Sequence, residues 1–204
     1  MPYRKLLQSL VDSLPVDGWC SVEKAQTLAM VVAVCHPKIV VEIGVFAGRS
    51  LIPMALAMKY EKYDGKIIAI DSWNAGDSIE GQAPADAAWW NALDHQRIFD
   101  DFNAALLKLG IDSLVEIRRC RSDKTSVPYP IDLLHIDGNH GLTAVSDAQF
   151  YGVDGVRVGG LCCVDDIGWV NGGPGKAVEL LKEHGFVELY PIGTGVMLQR
   201  VKRK

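Results

Sequence analysis

Residues 40–50 read VVEIGVFAGRS, an apolar run that passes directly into a turn carrying two glycines and then into a helical segment. A short apolar run of this kind, unbroken by alternation, is the signature of a strand covered on both faces, and so of a parallel sheet between helical layers. Gly44 allows a tight turn, and Gly48 would let backbone approach a ligand at the N-terminus of the next helix. Phe46 stands where a G-x-G-x-x-G fingerprint needs its second glycine, which disfavours a dinucleotide pyrophosphate and with it NAD and FAD. Glu42, just ahead of the turn, would repel phosphate and suits an ammonium group.

Working outward, further β-rich runs fall at 39–43, 66–70, 114–118, 131–136, 160–164, 186–190 and 195–199. Helical segments separate the earlier ones, and the whole reads as a doubly wound α/β fold. The last two runs are joined by a turn over 191–194, too short for a helical crossover, and should form an antiparallel hairpin. Upstream, helix periodicity covers 3–13, and a second helix starts at the N-cap Ser21 and carries Val22, Ala25, Leu28, Ala29 and Val32 before Pro37 stops it. We expect one domain over 1–204, with a helical preface at 1–37. Residues 74–109 form an insert, read as a polar loop followed by a helix over 87–109. It should lie over the carboxyl ends of the strands, where open α/β sheets bind ligands.

The 204 residues carry 21 Lys plus Arg against 25 Asp plus Glu, a net charge of -4 that argues against nucleic acid or an anionic membrane as partner. No apolar stretch is long enough to span a bilayer, and no secretory leader is expected. Five cysteines without C-x-x-C spacing read as reduced thiols of a cytoplasmic protein.

Two other acid-bearing segments carry chemistry. Asp71 ends the second strand, where a carboxylate can accept hydrogen bonds from ribose hydroxyls. DLLHIDGNH at 132–140 and LCCVDDIGW at 161–169 place Asp137, Asp165 and Asp166 at the ends of neighbouring strands. Like charges this close call for a cation, and hard oxygen ligands suit Mg²⁺, with Mn²⁺ or Ca²⁺ as alternatives. His140, three residues beyond Asp137, would be within reach of whatever that metal holds.

On these residues the chain resembles class I S-adenosylmethionine-dependent methyltransferases along nearly its whole length, and within them the metal-dependent O-methyltransferases. E-x-G-x-x-x-G-x-S, beginning at Glu42, is similar to that family's first motif. The resemblance implies that Glu42, Gly44 and Ser50 contact the amino-acid part of the cofactor, that Phe46 lines its pocket and that Asp71 holds the ribose. It places Ser72 and Ser122 on the adenine side. It further implies a sheet in the order 3-2-1-4-5-7-6, a metal triad of Asp137, Asp165 and Asp166, and His140 as general base beside Asp137. The implied acceptor is a small hydroxylated molecule of sugar or natural-product type. Leu142 stands where these sequences usually carry tyrosine, and Asp147 lies one place before the expected acid of the following helix. A homo-oligomer is left open. A metal-dependent hydrolase and a noncatalytic nucleoside-binding module are the alternatives, against which Glu42 and Asp71, and the acidic triad with His140, respectively argue. GGPGK at 172–176 lacks the spacing and hydroxyl of a phosphate loop, and no G-x-S-x-G elbow is present.

Overall fold

The computed structural model describes residues 18–80, 82–169 and 172–203; the helix expected over 3–13 lies outside them. Seven strands form one sheet: β1 Ile39–Ile43, β2 Lys66–Asp71, β3 Val115–Arg119, β4 Ile131–Ile136, β5 Val156–Val164, β6 Phe186–Ile192 and β7 Gly195–Arg200. Their order is β3-β2-β1-β4-β5-β7-β6, with β7 antiparallel to both β5 and β6 and the other pairings parallel. This is the doubly wound sheet with a terminal hairpin that the sequence implied. The first strand of the hairpin runs further than expected, to Ile192, while the second starts at Gly195 as expected, so the turn is only Gly193 and Thr194. Gly193 has φ +60°, the left-handed conformation such two-residue turns require. Pro191 is tolerated within β6 because that strand is the sheet's edge.

Alternation along the central strands splits the core in two. Val40, Ile67, Ala69, Leu133, Cys163 and Met197 face one helical layer. That layer is made of α1 Val22–Cys35, α2 Leu51–Glu61 and, further along the chain, α5 His95–Leu109. Val41, Ile43, Ile68, Ile70, Leu134, Ile136, Cys162 and Val164 face the other. There α6 Leu142–Asp147 runs on into a wider helical stretch, Ala148–Gly155, followed by α7 Gly173–Glu183. In α2 the eight residues from Leu51 to Met58 are all buried, because α1 packs over the side of α2 that the sheet leaves free. At roughly 1.5–3 kcal/mol for each fully buried large aliphatic side chain, these two layers are the main source of stability.

The insert differs from the loop-plus-helix expectation. It contains three helices, α3 Ala75–Ser78, α4 Pro84–Asn91 and α5. Pro84 starts α4 where its missing N–H costs nothing, and Asp94 restarts the chain as α5 by accepting the Arg97 N–H at 3.0 Å. Phe102 and Leu106 of α5 are buried as expected. Among the described residues no helix is long and apolar enough to cross a membrane.

A candidate active site at the carboxyl ends of the strands

A cavity of about 750 Å³ opens at the carboxyl ends of β1, β2, β4 and β5, within the range of small-molecule sites. The turn after β1 supplies Gly44, Phe46 and Ser50 to its wall; the end of β2 supplies Asp71 and Ser72, and the turn after β3 supplies Ser122. Asp137, His140, Asp165 and Asp166 close the other side, and the insert contributes Asp77, Glu80, Trp89 and Trp90. The insert is tied down there. Arg121 bonds Glu80 at 2.7 Å, and the Asn139 side-chain amide donates to the Glu80 carbonyl.

The glycine turn is forced by close packing. Gly44 has φ +83°, and a Cβ there would lie 2.2 Å from the Asp137 carbonyl oxygen, so the first turn and the end of β4 are in backbone contact. Gly48, with φ +84°, meets the Phe102 ring instead of a ligand; a Cβ would come within 2.6 Å of it. Its smallness serves α5 packing, which corrects the ligand-approach expectation.

Asp71 is built into the same turn. Its Oδ2 accepts the Val45 and Phe46 N–H groups, both at 2.9 Å, and its Oδ1 accepts the Trp73 N–H at 2.7 Å. Burial pushes the carboxyl up from its ordinary value, while these three donors pull it back. A carboxylate offers about four acceptor positions, so three are used within the protein. Acceptor capacity therefore remains, chiefly on Oδ1, which takes a single donor within the protein. Trp73 completes the turn by donating its indole N–H to the Phe46 carbonyl at 2.8 Å.

Glu42 is not on the cavity wall. Strand alternation turns it, with Val40, toward the α1 and α2 layer, where it is fully buried and accepts the Ser50 hydroxyl. It pairs in register with His135 of β4, whose Nδ1 is 3.5 Å from Glu42 Oε1 and whose Nε2 is 3.7 Å from Asp137 Oδ2. Among the described residues, both ring nitrogens and Glu42 Oε2 are buried without a hydrogen-bond partner.

The acidic cluster holds a residue that the motif reading missed. Lys24, in the first turn of α1, sends its ammonium between Asp137 and Asp165, bonding Asp137 Oδ2 at 3.2 Å and Asp165 Oδ2 as well. Burial disfavours its charge, yet the two carboxylates outweigh burial and hold its pKa above the usual lysine range. Asp165 is also buried, but Lys24 and the Thr194 hydroxyl, 2.7 Å from its Oδ1, hold it down to about 2. Asp137 is pushed up to about 7 by burial against the pull of Lys24 and His135. Its charge is thus less well compensated than that of Asp165. A sequence signal for Lys24 existed: it lies four residues before Leu28, on the buried stripe of α1.

Asp166 leaves the other two acids. Its backbone adopts φ +50°, and its Oδ2 lies 3.0 Å from Nε2 of His140, whose ring packs on Trp169 with centroids 4.1 Å apart. With Nε2–H directed at that carboxylate, Nδ1 is the nitrogen that carries the lone pair; it is buried and has no hydrogen-bond partner among the described residues. The acids whose ligand atoms cluster within 4.8 Å are Asp137 and Asp165, with His135 in place of Asp166. A divalent cation would be held by Asp137 and Asp165, with Asp166 nearby but bonded to His140. The three carboxylates exceed the single positive charge of Lys24, and one hard divalent ion would match that excess.

Comparison with known proteins places the chain in a family. The family described as "Methyltransferase domain" matches residues 41–167, more than half of the chain; the protein belongs to that family and is a methyltransferase. No curated protein matches. Among solved structures, the O-methyltransferase NovP is similar with a TM-score of 0.70 at 18% identity, covering 98% of each chain. TomG from Streptomyces achromogenes, an O-methyltransferase involved in tomaymycin synthesis and solved with S-adenosylmethionine, gives 0.62 at 17% identity over 99% of this chain and 100% of that one. Cofactor-bound Rv0187 from MTB gives 0.65 at 17%, over 100% and 91%. At these identities the likeness is one of fold. Family membership sets aside the hydrolase and binding-module alternatives.

Proposed function

We propose that the protein transfers the methyl group of S-adenosylmethionine to a hydroxyl of a small sugar or natural-product acceptor, with a divalent cation, Mg²⁺ by preference, at the acidic cluster. The observation that carries this reading is the juxtaposition in one cavity of the glycine turn held by Asp71 with an oriented His140–Asp166 pair. NovP and TomG, similar in fold, are O-methyltransferases by description, which agrees with it. The finer site assignments are part of the same proposal. Gly44, Phe46 and Ser50 bind the methionine part of the cofactor, with Glu42 acting from behind through Ser50; Asp71 holds the ribose, and Ser72 and Ser122 face the adenine.

In the mechanism, Asp166 orients the His140 ring through Nε2 and leaves the Nδ1 lone pair unengaged. His140 takes the proton of the acceptor hydroxyl as general base. The resulting oxygen nucleophile attacks the sulfonium methyl in line, the carbon–sulfur bond breaks, and a methyl ether and S-adenosylhomocysteine are formed. Positioning supplies most of the rate, because the protein forms no covalent bond in this step. A divalent ion held by Asp137 and Asp165, with Asp166 nearby, would supply Lewis acidity that lowers the pKa of the acceptor hydroxyl.

The test is transfer of radiolabelled methyl from S-adenosylmethionine to a panel of hydroxylated, amino and thiol acceptors, with Mg²⁺ and after EDTA treatment. Label in a hydroxylated acceptor, lost with EDTA and restored by Mg²⁺, is expected. Label confined to amines or thiols would overturn the O-methyl reading, and full activity after chelation would overturn the metal.

A further inference from the structure

We infer that Lys24 is the resident counter-ion of the acidic cluster, a positioning residue whose ammonium holds the Asp137 and Asp165 carboxylates together and takes up cation-binding capacity there whether or not a divalent ion is present. The inference rests on the site proposed above, but not on its chemistry.

Three features of the chain place the ammonium there. The Ser21 hydroxyl caps α1 by accepting the Lys24 N–H at 3.2 Å, which fixes the helix turn from which the side chain descends. The stem is sealed by the β6–β7 turn: a Cβ on Gly193 would stand 3.7 Å from Lys24 Cδ, an ordinary packing distance. The next residue of that turn, Thr194, donates to the second oxygen of Asp165, so both oxygens of that carboxylate are occupied. The Lys24 side chain is 2% exposed. A lysine so deeply buried needs its charge matched. Here the match comes from two strands, the ends of β4 and β5, which the ammonium draws together.

The consequence concerns metal affinity. An ammonium in contact with Asp137 and Asp165 repels a divalent ion approaching the same carboxylates and competes for their oxygens. A lysine serving only to pack α1 would have no such effect. Replacing it by a neutral side chain of similar length should therefore tighten Mg²⁺ binding, even though a group is lost from the site.

Calorimetry with Mg²⁺ alone on the full chain tests this, comparing the parent with Lys24→Met and Lys24→Gln, each checked for folding by circular dichroism. Tighter binding in the folded variants, by about tenfold or more, is expected. Should the parent bind no Mg²⁺ while Lys24→Met does, the counter-ion role stands and the metal part of the proposed function falls. Equal or weaker affinity in the folded variants would overturn the role. So would loss of the fold in both variants, which would make Lys24 a structural residue only.

Discussion

Removing the Asp71 carboxylate should loosen the cofactor turn before it touches any ligand. Asp71→Ala deletes an acceptor shared by Val45 N–H, Phe46 N–H and Trp73 N–H. Hydrogen bonds to a charged group are worth roughly 1.5–3 kcal/mol each, but they are not additive. Two corrections reduce the sum. Burial has already raised the cost of the Asp71 charge, and the freed N–H groups border a cavity from which water can reach them. A net loss of about 2–4 kcal/mol remains, or about 5–15 °C in Tm for a chain of this size. Because Phe46 and its neighbours form the cavity wall, S-adenosylhomocysteine affinity should fall by about ten- to a hundredfold, equivalent to ~1.4–2.8 kcal/mol. Asp71→Asn, with one acceptor oxygen left, should fall between the parent and the alanine variant on both measures. Thermal melts and calorimetry read the two effects separately. A variant that loses cofactor affinity with an unchanged Tm would show that Asp71 acts on the ribose alone, and would refute its role in holding the turn.

Replacing His140 by Ala should lower kcat by ~10²–10⁴ with S-adenosylhomocysteine affinity near that of the parent; steady-state kinetics that show an unchanged kcat would assign the base elsewhere. Gly44→Ala should not give a stable fold, since its Cβ would overlap the Asp137 carbonyl, and a soluble variant with parental Tm would contradict that contact. Asp147 is buried beside Ser122, and its carboxyl is pushed up to about 6 by burial. The folded protein thus holds that proton more tightly than the unfolded chain, so stability falls as pH rises from 3.8 to about 6 and the full penalty applies above. Asp147→Asn should therefore stabilise the fold at pH 8, by about 2–3 kcal/mol that shrinks toward pH 4, as the rise in Tm in melts across that range would show.

The sheet could be read in the sequence because its strands are short apolar runs whose two faces are both covered, and the segments between them are long enough for helices. The insert was less legible. Ala92 and Leu93 continue a helical pattern, so the break at Asp94 shows only as a cap, and the polar stretch before Pro84 conceals the short helix at Ala75–Ser78. In the candidate site, residue types at strand ends pointed to one region, and Asp71, Asp137, Asp165 and Asp166 all line the cavity there. What each side chain bonds was not legible. One-residue differences in backbone direction decide that Glu42 faces the helices and that Asp166, at φ +50°, turns to His140. Lys24 was invisible to motif reading, because its partners lie more than a hundred residues away.

Titration of the chain with S-adenosylhomocysteine in a calorimeter, with NAD as the control, tests the central claim most directly. Saturable binding of one S-adenosylhomocysteine per chain and no heat from NAD are predicted, because Phe46 and the engaged Asp71 shape the turn for a nucleoside without a pyrophosphate. Binding of NAD, or no binding of S-adenosylhomocysteine to the folded chain, would contradict the methyltransferase site described here.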